Sequence, residues 1–185
     1  ISKKVHSSYL LKAQKGQFTG CLAPFGYRKD PEDKNHLLID EETAPIVRRL
    51  FAWALEGHGP NYIRRRLEEE KIPCPTYWNR VRGFRNVSTK WEKKDPVNGR
   101  YMWDFSVIKD ILMNPVYTGA IASQKKEYRF KIGTIGEKKP EDWIVVENQH
   151  EPLVDRKTFD IVQRKLKSRQ RPRQTGEISL FAGLI

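Results

Sequence analysis

The sequence YMWDFSVIKDILMNPVYTG, residues 101–119, changes within a few positions from helical to strand-like patterning. Asp104 or Ser106 can cap a helix through about residue 113, because either side chain can accept a hydrogen bond from a first-turn N–H. Asn114-Pro115 ends this helix, since the residue before a proline avoids helical angles. Such a chain must combine short helices with short strands. The apolar face of the helix consists of Val107, Ile108, Ile111 and Leu112.

Two more helices precede this stretch. The first is predicted over about residues 41–56. Asp40 caps it, and the acidic residues of its first turn interact favourably with the helix dipole. It ends at Gly57, and its apolar stripe comprises Val47, Leu50, Phe51, Ala54 and Leu55. The second is predicted over about 60–71, with Pro60 in its first turn. We expect its three arginines (64–66) to form ion pairs with the glutamates at 68–70.

The ends of the chain add two further helices. Residues 2–15 have an apolar residue at every fourth position (Val5, Tyr9, Ala13), and Gly16 is the predicted stop. The last helix begins at Asp155 and presents Phe159, Val162 and Leu166 on one face. Pro172 prevents this helix from continuing through the basic run that follows it.

Four short segments are predicted as strands, at 36–40, 116–123, 128–133 and 143–147. The last three are separated by polar, turn-rich sequences, which indicates a small antiparallel sheet. Residues 73–100 lack a sustained period and are predicted as a long loop. The order of elements matches an α+β fold: a helix-turn-helix-like unit with a winged-helix-like β-sheet and a C-terminal helix.

Charge indicates the kind of partner. Lys and Arg number 35 against 23 Asp and Glu, a formal charge of +12 and a pI of about 9.7. Such an excess favours an anionic partner, most often a nucleic acid. The predicted loop also interleaves Trp78, Phe84 and Trp91 with bases, an arrangement that argues against simple disorder. Its candidate DNA contacts are Arg80, Arg82, Arg85, Lys90, Lys93, Lys94 and Arg100.

The helix before the strands is the candidate for reading DNA. In a helix-turn-helix, the last helix lies in the major groove and its first residues touch base edges. Tyr101, Trp103, Asp104, Ser106 and Lys109 are then the side chains offered to the groove. Phe105 is expected in the core, and Trp103 fits the core or the groove equally well. Lys125 and Lys126, at one tip of the sheet, are further candidates.

The sequence carries no motif that is typical of catalysis or of metal binding. The four histidines are scattered, and the two cysteines, Cys21 and Cys74, are far apart and belong to no zinc motif. Phosphate-binding loops, nucleophile elbows and paired carboxylates are also missing. We therefore predict no catalytic residue, no metal and no cofactor in this chain. The absence of a long apolar run predicts no membrane span.

Several motifs together resemble the recombinase domain of the large serine recombinases, the phage integrases and transposon-borne resolvase-like proteins. They are APFGY, ILMNPVYTG and HEPLVD, in that order and spacing, and the similarity extends over about residues 14–167. The resemblance implies that the full protein binds attachment sites as a dimer and that two dimers form a tetramer in synapsis. A serine of an N-terminal domain would cut and rejoin the DNA, so this chain would contribute double-stranded DNA binding.

The resemblance also divides the chain. Residues 1–16 are expected to be the end of a long helix from a catalytic domain. Residues 17–168 form the DNA-binding domain, and 169–185 form a basic linker leading to a zinc ribbon. Lys3, Lys4 and Lys15 would lie near the central DNA, while Arg169, Arg171 and Arg173 would follow phosphates or the minor groove. A bacterial or phage-encoded, cytoplasmic and nucleoid-associated protein is implied. The 78–100 segment departs from the shorter family pattern.

Three other functions remain open from the residues. A module for RNA or single-stranded nucleic acid could stack bases on the loop aromatics and would prefer single strands. A winged-helix regulator would bind duplex DNA without strand exchange. A hydrolase with an unrecognised site is the third, and the lack of ligand clusters disfavours it.

Overall fold

The computed structural model describes residues 3–84, 95–129 and 134–168. Within these ranges there are six α-helices and three two-stranded antiparallel sheets. The helices are α1 (Lys3–Gln14), α2 (Ala44–Leu55), α3 (Pro60–Glu69), α4 (Pro75–Val81), α5 (Phe105–Met113) and α6 (Arg156–Ser168). The strands are β1 (Tyr27–Lys29), β2 (Leu37–Ile39), β3 (Ile121–Ser123), β4 (Lys126–Arg129), β5 (Thr134–Glu137) and β6 (Ile144–Val146).

The sheets are hairpins or short pairs. Strand β1 pairs with β2, β3 with β6, and β4 with β5. The β4–β5 hairpin is therefore inserted between the two strands of the β3–β6 pair. The α+β class predicted from the sequence is confirmed, with small antiparallel sheets and a C-terminal helix.

The core forms around α2, whose apolar stripe packs against α3, α5 and α6. Val47, Leu50, Phe51 and Ala54 are buried as predicted, whereas Leu55 is 37% exposed. Ile63 and Leu67 of α3 are buried too. On the outer face of α3, Arg64 pairs with Glu68 at 2.9 Å and Arg66 with Glu70 at 3.3 Å, which confirms helix-supporting roles for these two arginines.

Four predictions of local structure were wrong. Residues 75–81 are helical, because Pro75 fixes the first turn and Tyr77 and Trp78 pack edge to face. Residues 115–118 form a 3₁₀ turn, capped by the Asn114 side chain, so the strand starts only at Ile121. Residues 134–137, which lie in a segment predicted as a turn, form a strand. The sheet predicted as one unit is two separate pairs.

The three motifs that carry the family resemblance meet in the core. The Tyr27 hydroxyl donates to the Glu151 carbonyl at 3.0 Å and accepts from the Leu153 N–H at 3.2 Å. The Tyr117 hydroxyl donates to the Phe25 carbonyl at 2.9 Å. Burial raises the pKa of both tyrosines. Side chains of all three motifs therefore hold the fold together.

His150 is the buried polar side chain at this junction. Its Nε2 lies 2.8 Å from the Val116 carbonyl, which can only accept, so Nε2 carries a proton. Its Nδ1 has no partner among the described residues. The ring also packs edge to face on Tyr27 at 4.8 Å. Burial lowers the pKa of His150, and the hydrogen bond to Val116 opposes that shift.

We expect the free energy of unfolding to fall as the pH drops below about 6.5, the pKa of an unfolded-state histidine. The pKa of His150 is lower in the folded state. At a pH between the folded-state and unfolded-state pKa, the unfolded chain therefore binds more protons, and acidification stabilises it relative to the folded chain. Urea unfolding between pH 7 and pH 5 measures this loss. In His150→Gln, whose amide keeps the donor to Val116, the histidine contribution to the loss should vanish. An unchanged pH profile in that variant would contradict the assignment, with His58→Gln as the matched control.

Candidate nucleic-acid interface

Helix α5 presents one polar face to solvent. Ile108, Ile111 and Leu112 are buried, which fixes the helix against the core. Asp104 caps it by accepting from the Ser106 N–H at 2.9 Å and from the Ser106 hydroxyl at 2.9 Å. The hydrogen bond from the Ser106 backbone lowers the pKa of the Asp104 carboxyl, so the cap is charged at neutral pH. Asp104 and Ser106 are exposed and Lys109 is half-buried.

The aromatic residues around the start of α5 lie in environments that differ from those expected. Trp103 is 3% exposed and its Nε1 donates to the Ile72 carbonyl at 2.9 Å, so it belongs to the core and cannot reach a groove. Its ring packs edge to face on Phe25 at 5.7 Å. Phe105, expected in the core, is 42% exposed. Tyr101 is half-buried, with the Arg100 guanidinium 5.3 Å from its ring.

Arg82, a predicted DNA contact, lies in an ion-pair network. Its guanidinium contacts Asp40 at 2.6 Å and Glu42 at 2.8 Å. It also lies 5.3 Å from the Trp78 ring. Asp40 is buried and accepts from the Thr43 hydroxyl, which in turn accepts from the Gly26 N–H at 3.2 Å. Because both of its carboxylate partners hold it in place, Arg82 fastens α4 to the start of α2.

Lys125 is also engaged inside the molecule. Its ammonium donates to the Asn114 side chain at 3.1 Å and lies 5.0 Å from the Trp143 ring. The Trp143 Nε1 donates to the Lys138 carbonyl at 3.1 Å, and the Lys138 N–H donates to the Lys125 carbonyl at 2.9 Å. Burial lowers the pKa of Lys125, while the nearby Asp110 raises it. Lys125 thus joins the end of α5 to the base of the β4–β5 hairpin.

The remaining candidates divide by position. Arg80, Lys126 and Lys15 are exposed, and Arg100 donates to the Val97 carbonyl at 3.3 Å. Lys3 and Lys4 open α1. The predicted contacts that lie outside the described residues are Arg85, Lys90, Lys93, Lys94, Arg169, Arg171 and Arg173.

The structure also brings together three lysines that the sequence does not group. Lys12, Lys29 and Lys34 line a cleft of about 320 Å³ between α1 and the β1–β2 hairpin. They are far apart in sequence and meet only because the hairpin folds back toward α1. No local motif marks them. Within the described part of the chain, no group of three His, Cys, Asp or Glu side chains is placed to hold a metal ion. None of its helices has the length and apolar character that a bilayer span requires.

Comparison with known proteins places this geometry in a family. The Recombinase family model matches residues 41–169. A protein of Bacillus subtilis (strain 168), "Uncharacterized protein YefB", is 37% identical over 86 residues, which cover 45% of this chain and 28% of that protein.

Two solved structures share the fold at 16% sequence identity. One is described as "Crystal Structure of a LSR-DNA Complex", with a TM-score of 0.53 over 97% of this chain and 44% of the other. The second is described as "Sequence Requirements of the Listeria innocua prophage attP site", with a TM-score of 0.54 over 89% and 52%. The chain spans about half or less of these relatives. The family match covers α2 to α6, the elements that form the core and carry the α5 face, and the chain belongs to the Recombinase family.

Proposed function

We propose that this chain binds double-stranded DNA sequence-specifically, as the DNA-binding part of a site-specific serine recombinase. The observation that carries the proposal is the α5 face: a capped helix, fixed by three buried residues, that presents Ser106 and Lys109 at its N-terminal half. A major groove admits such a helix, and side chains of its first turns reach base edges. The solved structure of similar fold that is described as an LSR–DNA complex supports DNA as the partner.

In this proposal, the residues that supply affinity differ from those that read the base sequence. Exposed bases, among them Arg80, Lys126 and Lys15, supply affinity that does not depend on sequence, because each phosphate contact releases counterions. The proposal also keeps the expected organisation of the full protein. Residues 17–168 form the DNA-binding domain between a linker helix and a basic linker, the protein is a dimer on each site and a tetramer in synapsis, and a serine of a separate domain cuts the DNA.

Fluorescence-anisotropy binding across a salt series tests the proposal. The probes are an inverted-repeat duplex from the ends of the element that encodes the protein, a scrambled duplex and a single strand. We expect binding to the site duplex at least tenfold tighter than to the scrambled duplex, a low threshold because specific complexes are typically about 10³–10⁷ tighter than non-specific ones. Equal binding to all three probes, or preference for the single strand, would refute it. The second outcome would favour the single-stranded nucleic-acid alternative.

The role of Lys125 can be separated from that of its neighbour. Lys125→Met removes the link between α5 and the hairpin but no phosphate contact, so we expect a lower ratio of site to scrambled affinity with an unchanged salt slope. Lys126→Met is the matched control: its side chain is exposed, and the salt slope should fall by about 0.9 if it contacts one phosphate. Both slopes are measured on the scrambled duplex. A fall in the slope for Lys125→Met would show that it contacts DNA directly.

A further inference from the structure

The cleft between α1 and the β1–β2 hairpin is lined only by basic, neutral polar and aromatic residues. It contains no carboxylate among its lining residues, in a chain with 23 acidic side chains. Besides the three lysines, the lining offers the hydroxyl groups of Ser8 and Thr19 and the amide of Asn35. Lysine ammonium groups, hydroxyls and amides are donors that suit a phosphate oxygen.

The nearby acids are occupied elsewhere. Asp33 accepts from the backbone N–H of Asn35 at 2.9 Å and from its side-chain amide at 3.2 Å. Asp30 accepts from the Glu32 N–H at 2.9 Å. These hydrogen bonds hold the two carboxylates in the hairpin turn. Lys12, Lys29 and Lys34 have no ion pair within 4.0 Å to any described residue. The hydrogen bond from the Asn35 backbone is the main cause that lowers the pKa of Asp33, and the charge of Lys12 adds a small part.

The walls of the cleft are fixed relative to one another. The Phe18 N–H donates to the Asn35 carbonyl at 2.8 Å, which ties the segment after α1 to the hairpin. The Gln17 N–H donates to the Lys12 carbonyl at 3.0 Å at the end of α1. The Lys29 ammonium lies 5.5 Å from the Phe18 ring, so one wall holds its charge in place. The backbone walls of the cleft and the Lys29 ammonium are therefore positioned before any ligand arrives.

We propose that this cleft is a second contact site for the DNA backbone, in which Lys29 and Lys34 bind a phosphate group. The inference rests on the proposed function, because it takes the phosphate from bound duplex. It adds a contact remote in sequence from α5 and independent of base identity. The β1–β2 hairpin then serves as a phosphate clamp while α5 reads the bases.

Lys29→Ala/Lys34→Ala tests the site on the scrambled duplex across a salt series. We expect the slope of log affinity against log salt to fall by about 0.9, the change for the loss of one phosphate contact. The matched control is Arg48→Ala/Lys157→Ala, which removes the same charge from exposed positions on α2 and α6. Its slope should remain that of the unchanged chain. An equal fall in both variants would reduce the effect to net charge and overturn the site.

Two further measurements keep the outcomes distinct. If the unchanged chain binds no duplex, the proposed function fails. If it binds duplex and the lysine variant keeps the full slope, the clamp alone is wrong. Titration with inorganic phosphate, followed by the melting temperature, identifies the source of the anion. Saturable stabilisation at low millimolar phosphate, lost in the variant, would assign the cleft to a small anion and overturn the backbone contact. The clamp predicts no such stabilisation.

Discussion

Trp103→Ala lowers the free energy of unfolding by about 3–5 kcal/mol, the range for deleting a large buried aromatic side chain. Trp103 fills a space beside Phe25 and donates to the Ile72 carbonyl, so its loss leaves both a cavity and an unpaired acceptor. Urea unfolding measures the change. Phe105→Ala, two positions later, is the matched control and should cost about 1 kcal/mol or less because the ring is exposed at 42%.

The pair of variants decides which aromatic residue supports the helix and which is available to a partner. If Phe105→Ala were the more destabilising of the two, the assignment of Trp103 to the core would be wrong. Trp103→Phe helps to separate the two contributions, since it removes the hydrogen bond to Ile72 but only part of the buried aromatic volume. That change should lower the free energy of unfolding less than the alanine substitution does, because the phenyl ring fills part of the volume that alanine would leave empty.

Asp40→Ala lowers the free energy of unfolding by about 2–4 kcal/mol, because it removes the anion from a partly buried ion pair and leaves its partners unsatisfied. Its carboxylate holds the Thr43 hydroxyl at the start of α2 and the Arg82 guanidinium at the end of α4. Glu42→Ala provides the comparison: that side chain is 67% exposed, and its loss should change stability by about 0.5 kcal/mol or less.

A double-mutant cycle tests the network directly. Arg82→Ala, Asp40→Ala and the double variant should show a coupling free energy of about 1–3 kcal/mol between the two side chains. Additive effects on the free energy of unfolding would mean that Arg82 and Asp40 do not stabilise the fold through each other. The ion pair with Asp40 would then give no reason to assign Arg82 to the fold and not to a partner. The cycle is measured by urea unfolding at neutral pH.

The helices that form the core could be predicted because their apolar residues recur at helical spacing. That pattern placed α2, α3 and α5 within a few residues of their observed bounds. Helix α4 was missed because its seven residues include no buried one, so no apolar stripe marks it. The strands at 27–29 and 134–137 are only three and four residues long and are defined by their partners across a hairpin.

The candidate site was predictable where it follows local rules and unpredictable where it depends on distant contacts. Asp104 as a cap follows from residue type and position. The burial of Trp103 depends on Ile72, 31 positions away, and the capture of Arg82 depends on Asp40 and Glu42. The lysine cleft requires the β1–β2 hairpin to fold toward α1. The residues that make each of these contacts are far apart in the chain, so no short segment of sequence contains them together.

The central claim is that α5 reads base identity, and one binding measurement tests it most directly. Affinities of Ser106→Ala/Lys109→Ala for the site duplex and the scrambled duplex are compared with those of the unchanged chain. The Asp104 cap survives through the Ser106 backbone N–H, so the helix remains folded. We predict that the ratio of site to scrambled affinity falls at least tenfold, since a good base contact contributes about 1–3 kcal/mol. An unchanged ratio, or an equal loss on both duplexes, would contradict base reading by α5.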